Sequence, residues 1–210
     1  MGEPLIEKGQ KVLFIGDSIT DCGRQGQSKP LGSGYVATAV NMMIARYPGL
    51  GVEWVNRGVG GNTVVDLERR WQADCIDEKP DWLSVMIGIN DSARYGRGPA
   101  QAVSPPDVFR RTYDAILAEA AEKVGPRLII MEPFYITLDE TDPVMKVLPD
   151  YLAAVHDMAS QYEAVLVRTH EAFRKALGAR SEEKWAADRV HPGGDGHSLV
   201  ALEWLEAVGW

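Results

Sequence analysis

Five short apolar runs, separated by longer amphipathic stretches, limit what this 210-residue chain can fold into. The runs are 11–16 (KVLFIG), 52–56 (VEWVN), 82–88 (WLSVMIG), 127–132 (RLIIME) and 164–168 (AVLVR). Their length and nearly continuous apolar character suit strands covered on both faces. Between them the apolar period lengthens to that of a helix. Val36, Val40, Met43, Ile44 and Tyr47 form a stripe over 34–47 that Pro48 closes. A second helix is expected over 63–76. A third opens at Ser104-Pro105-Pro106, a cap followed by first-turn prolines. It carries Val108, Phe109, Ile116, Leu117 and Ala120 on one face and ends at Gly125-Pro126. Further helices are expected over 143–160, 170–177 and 196–208. Strands and helices alternating in this way make parallel βαβ units. The expected fold class is α/β, a three-layer α/β/α sandwich around a five-stranded parallel sheet. No repeat or linker divides the chain, so 1–210 reads as a single domain. In open sheets of this kind ligands bind beyond the carboxyl ends of the strands.

Charge and cysteine usage narrow the function classes. Acidic residues outnumber basic ones by 30 to 22, which argues against a non-specific nucleic-acid binder, since that needs a basic face. Cys22 and Cys75 stand far apart, with no CxxC pair and no histidine cluster nearby. Neither a metal site nor a disulfide framework is expected, and no cofactor. Free thiols suit a reducing compartment. The N-terminal MGEPLIEKGQ has no apolar run of signal-peptide length, and no stretch reaches the roughly 18 residues needed to span a membrane. A cytoplasmic protein with no membrane partner is expected, with self-association left open.

Three strand ends carry unusual residues. The first run leads into Gly16-Asp17-Ser18-Ile19-Thr20-Asp21, which is neither a dinucleotide fingerprint nor a phosphate-binding loop. Ser18 is either a nucleophile on a tight turn or a helix cap. The second run leads into NRGVGGNT at 56–63, whose glycines either expose backbone N–H groups to a ligand or only loosen a turn. The third leads into GIND at 88–91, where the Asn90 amide either donates into the same crevice or closes an Asx-turn or caps a helix. Near the C-terminus stands Asp188-Arg189-Val190-His191-Pro192. Pro192 pushes His191 toward an extended loop, and Asp188 can bend back to hold its ring. His197 competes as a base, but falls on the final helix without a placed acid; His156 and His170 read as structural. Together these features complete one chemical machine. A serine hydroxyl needs a base, the base needs a carboxylate to hold its tautomer, and the tetrahedral oxyanion needs preorganised N–H donors. Ser18 N–H, Gly61 N–H and the Asn90 amide would supply them.

These blocks resemble the SGNH hydrolases, also called the GDSL esterase/lipase family. GDSIT at 16–20, NRGVGGNT at 56–63, GIND at 88–91 and DRVHP at 188–192 follow the family's order across nearly the whole chain. The resemblance implies a flavodoxin-like five-stranded sheet. It also implies Ser18 as nucleophile, His191 as base, Asp188 as its orienting acid, and Ser18, Gly61 and Asn90 as the oxyanion hole. Asp17 would steady the nucleophile turn. Gly60 stands where many relatives carry serine, a change expected to affect loop stiffness. The wording FIGDSITDCGR, LGSGYVA, VMIGINDSAR, PFYI and DRVHPGGDGH is most similar to the carbohydrate acetyl-esterase branch, which includes acetylxylan esterases. That implies a small-molecule ester substrate, an acetylated sugar, and no metal. Asp17, Arg94, Tyr135 and Trp185 are the candidate substrate contacts. Arg94, Tyr95, Phe134, Tyr135 and Trp185 are expected on loops near the motifs, where aromatics can stack on sugar faces. Where such relatives place an aromatic directly before the aspartate, this chain has Ala187, with Trp185 two positions earlier. Lysophospholipase, thioesterase or general arylesterase activity stays open within the family. The rival class is a non-catalytic flavodoxin-like binding module, which would be expected to lack Ser18 or His191.

Overall fold

The computed structural model describes residues 4–98 and 102–210. Residues 1–3, the head of the segment read as lacking a signal peptide, lie outside them. Strands β1 (Lys11–Gly16), β2 (Glu53–Gly58), β3 (Trp82–Met86), β4 (Arg127–Met131) and β5 (Val165–Val167) form one sheet in the order β2-β1-β3-β4-β5. Every neighbouring pair is parallel. Successive side chains on a strand point to opposite faces, and both faces here are apolar. Val12, Phe14, Trp82, Met86, Ile129 and Met131 pack under α2 (Tyr35–Arg46), α7 (Thr169–Leu177) and α8 (Gly194–Ala207). Leu13, Ile15, Leu83, Val85 and Ile130 pack under α3 (Val64–Trp71) and α5 (Pro106–Lys123). Helix α6 (Pro143–Gln161) serves both layers, with Met145 and Leu148 in the first and Tyr151 and Val155 in the second. This is the three-layer α/β sandwich expected from the alternation of apolar periods.

Several boundaries differ from the sequence expectation. The third run ends as a strand at Met86, because Gly88 takes φ 126 and turns the chain into a helix. The helix expected over 63–76 is α-helical only to Trp71 and finishes as a π-helical turn, Gln72–Ile76, which buries Cys75 and Ile76. Ser104 does not cap α5; its hydroxyl donates to the buried Asp91 carboxylate, and Pro105 holds the cap position. Ile44, placed in the apolar stripe of α2, is 50% exposed. Two helices, α1 (Ser18–Asp21) and α4 (Ile89–Arg97), stand where the sequence offered only a helix cap as an alternative reading of Ser18 and Asn90. The first is one turn long. The second reads INDSARYGR and buries Asp91 and Ser92 alongside Ile89 and Ala93, so it has no apolar stripe to recognise.

Strand β1 lies between β2 and β3, so the chain leaves β2 on one side of β1 and returns as β3 on the other. A crevice opens at such a reversal, outside the carboxyl ends of the strands. Ser18 follows β1 there, and Asn90 follows β3. Among the described residues no helix is long and apolar enough to cross a membrane. Both cysteines are free thiols.

Candidate active site

The turn after β1 presents Ser18. Asp17, not Ser18, is the N-cap of α1, its carboxylate accepting from Ile19 N–H at 3.0 Å. Ser18 is thereby the first helical residue, where the backbone N–H has no intrahelical acceptor. Burial pushes the Asp17 carboxyl up to about 7, with the Ile19 N–H acting against it. Helix α1 lies directly on the end of β2. A Cβ on Gly58 would sit 2.2 Å from Asp21 N, so only glycine permits this approach. Asn56 locks the junction, donating to the carbonyls of Thr20 at 2.7 Å and Leu31 at 2.9 Å.

The Ser18 hydroxyl lies 2.9 Å from His191 Nε2. On the far side of the ring, Nδ1 lies 2.7 Å from Asp188 Oδ2. Asp188 bends back as the spacing allowed, its other oxygen accepting from the N–H groups of His191 at 2.8 Å and Val190 at 3.1 Å. Burial pushes the Asp188 carboxyl up, but these N–H groups and the imidazole outweigh it and hold it below the usual carboxylate range. An ionised carboxylate only accepts, so Nδ1 carries the ring proton and Nε2 turns its lone pair to Ser18.

The loop bearing this pair is stapled by long-range contacts. Ala186 and Pro192 form an antiparallel bridge, and Gly193 N–H donates to the Trp185 carbonyl at 2.7 Å. Arg189, in a left-handed conformation at φ 66, donates to Asp142 at 3.1 Å and pairs with Glu182 at 2.9 Å. Its carbonyl accepts from Ile136 N–H at 2.8 Å, tying the loop to the segment after β4.

His197 is elsewhere engaged. Its Nδ1 accepts from Tyr35 N–H at 3.2 Å and its Nε2 faces Cys22 Sγ at 3.5 Å. Burial, then the neighbouring His191, pushes its pKa down to about 4. His156 lies 2.7 Å from the buried Glu132, which also accepts from the backbone N–H of His170 at 3.0 Å, so both serve the packing of α6 and α7.

Gly61 adopts φ 76, the left-handed turn that glycine favours. Its carbonyl accepts from Arg94 at 2.9 Å, which fixes the turn. Asn90 stands in the first turn of α4 and donates one amide hydrogen to the Asn62 carbonyl at 3.0 Å. Arg70 was not singled out from the sequence. It donates to Asn62 Oδ1 at 2.7 Å and to the carbonyls of Arg57 at 2.7 Å and Gly16 at 3.0 Å, joining the ends of β1 and β2 to the glycine turn. Nothing in its place on α3 distinguishes it from a solvated arginine. Asp91 accepts from Val64 N–H at 3.1 Å and from the Ser104 hydroxyl, while its second oxygen is buried with no hydrogen-bond partner among the described residues. Burial pushes its carboxyl up to about 6, against those two donors.

The candidate substrate contacts lie in different surroundings. Asp17 is 1% exposed and caps α1 from beneath, and Tyr135 is 4% exposed with its hydroxyl donating to Asp142 at 3.3 Å. The loop after β4 is drawn into the core, where Phe134 stacks on Phe173 at 4.5 Å between ring centroids. Trp185 is half-buried, with Phe173 against its edge at 6.2 Å and the Arg180 guanidinium over its ring at 5.3 Å; it braces the Asp188–His191 loop. Arg94 and Tyr95 lie on α4 rather than on a loop. Among the described residues no cluster of His, Cys, Asp or Glu is placed to hold a metal ion.

The model of the GDSL-like Lipase/Acylhydrolase family matches residues 14–199. The chain belongs to this family. As a GDSL-like member it is a carboxylic-ester hydrolase. It is 41% identical to the acetylxylan esterase of Geobacillus stearothermophilus over 98% of this chain and 96% of that one. The crystal structure of that esterase, Axe2, superposes with a TM-score of 0.91 at 40% identity, covering 98% of this chain and 96% of that chain. Structures described as catalytic mutants of Axe2 replace a serine, an aspartate or a histidine with alanine. LAE5, an alpha/beta hydrolase from the metagenome of Lake Arreo, Spain, superposes with a TM-score of 0.91 at 34% identity, covering 99% of this chain and 98% of that one.

Proposed function

We propose that this esterase removes acetyl groups from O-acetylated xylo-oligosaccharides through an acyl-enzyme on Ser18. The relay Ser18–His191–Asp188, at 2.9 and 2.7 Å, carries the proposal. His191 Nε2 takes the hydroxyl proton as Ser18 Oγ attacks the acetyl carbonyl. Asp188 stabilises the imidazolium and holds its orientation. The oxyanion is met by the N–H groups of Ser18 and Gly61 and by the second amide hydrogen of Asn90. His191 then protonates the departing sugar oxygen, and water repeats the sequence in reverse roles to release acetate. No step needs a metal. The acetylated sugar substrate rests on the similarity to the acetylxylan esterase over nearly the full length of both chains. A cytoplasmic setting agrees with the free thiols of Cys22 and Cys75.

A panel of aryl esters from acetyl to octanoyl tests the acyl preference. Acetyl is expected above butyryl, and octanoyl lower than acetyl by about tenfold or more in kcat/KM. Comparable turnover of octanoyl esters would favour a lipase or thioesterase. Acetylated xylo-oligosaccharides should then release acetate.

Asn90→Ala tests the oxyanion donor apart from the relay. The carbonyl oxygen gains charge only in the transition state, so the lost bond acts mainly on kcat. The expected loss is roughly 10²–10³ in kcat with little change in KM. Because the amide also holds the Asn62 carbonyl, about 1 kcal/mol of stability should go with it. Near-normal kcat with a lowered thermal midpoint would make Asn90 a clasp for the glycine turn and nothing more.

A further inference from the structure

Ser18 and Asp21 are three positions apart on α1, so their side chains share one face of that turn. Asp21 Oδ1 is buried and has no hydrogen-bond partner among the described residues. The nearest cation is Arg24, with Nε at 3.9 Å, but that N–H donates instead to the Gly58 carbonyl at 2.5 Å. Oδ1 therefore has a charge beside it but no donor. Its other oxygen borders an opening. Asp21 Oδ2 and Ser18 Cβ each lie 3.9 Å from the point that a Cβ on Gly60 would occupy, so the missing side chain of Gly60 leaves a gap between them. With Oδ1 already buried and unpartnered, a further loss of donors at Oδ2 is unfavourable, and an ionised carboxylate can only accept. A hydroxyl group entering that gap can donate to Oδ2, the oxygen at its border.

We propose that Asp21 is a specificity-determining residue, accepting a hydrogen bond from a hydroxyl on the carbon next to the ester-bearing carbon of the substrate. The inference rests on the sugar-ester reading above and adds a residue and a chemical requirement to it. The acyl carbon must meet Ser18 Oγ, so the alcohol portion extends past Ser18. Asp21 borders the gap along that face of α1. A neighbouring hydroxyl finds an acceptor in Oδ2, whereas an apolar alcohol excludes water from that oxygen and offers no donor in return. The residue thus selects polyol esters with a free hydroxyl beside the ester, and acts on the leaving alcohol rather than on the acyl group.

The test compares trans-2-hydroxycyclohexyl acetate with cyclohexyl acetate, which differ by one adjacent hydroxyl. The wild-type enzyme should favour the hydroxylated ester in kcat/KM, and Asp21→Asn should reduce that preference by about 10- to 100-fold. Gly60→Ser fills the gap at a site with ordinary contact distances and should reduce the preference too, a second reading should Asp21→Asn fail to fold. An equal fall on both esters in Asp21→Asn would assign Asp21 to holding the turn with Arg24 and overturn the proposal. So would a wild-type enzyme indifferent to the hydroxyl. Inactivity of the wild type on acetylated methyl xyloside overturns the sugar reading instead, while the cyclohexyl pair still decides the role of Asp21.

Discussion

Ser18→Ala is expected to lower kcat on an aryl acetate by on the order of 10⁴–10⁶-fold and to abolish labelling by a fluorophosphonate probe. The thermal midpoint should hardly move. Ser18 Oγ takes no part in capping α1, which falls to Asp17, and its bond at 2.9 Å to His191 is made at the edge of the crevice rather than in the core. Alanine at the first helical position removes the reacting oxygen and leaves the turn intact. Activity of more than a few per cent in a clean preparation would remove Ser18 from the role of nucleophile. A large fall in the midpoint would instead show that the serine supports the turn.

His191→Ala should cost a similar factor, and the double variant Ser18→Ala/His191→Ala should be no slower than either single one, because the two act as a unit. Multiplying losses would mean that they act independently. His197→Ala is the decisive comparison. Both nitrogens of that ring face neighbours, Tyr35 N–H at 3.2 Å and Cys22 Sγ at 3.5 Å, and the residue is half-buried. Its loss should lower stability by about 1–3 kcal/mol by leaving the Tyr35 N–H without its partner, with a far smaller effect on kcat. If His197→Ala proves the inactive variant while His191→Ala retains activity, the base has been misassigned.

The pattern of apolar runs was enough to foresee five strands and their parallel arrangement, because a buried parallel sheet demands continuous apolar segments joined by amphipathic helices. Elements without such a pattern were invisible. Helix α4 buries a carboxylate and a hydroxyl along with Ile89 and Ala93, so no period marks it. The surroundings of the candidate substrate contacts were illegible for a related reason. Tyr135 and Trp185 are amphipathic side chains whose exposure depends on where a loop is drawn. Here the loop after β4 follows Phe134 into the core, and Arg180 covers Trp185.

By itself the sequence determined the α/β class, the family and the residues at the strand ends, since these depend on residue type, order and short spacing. Asp188 and His191 are three positions apart, and their contact needs only a local bend. Only the tertiary structure decided how the three strand ends meet. Arg70 links Gly16, Arg57 and Asn62, while Arg189 ties its loop to Asp142 and Glu182. The gap between Ser18 and Asp21 depends on Gly60, from a different strand end. These are contacts between segments distant in the chain, made by single polar groups to carbonyls, carboxylates or empty space. Such contacts follow no period and carry no local signal, so they exist only once the sheet has brought the segments together.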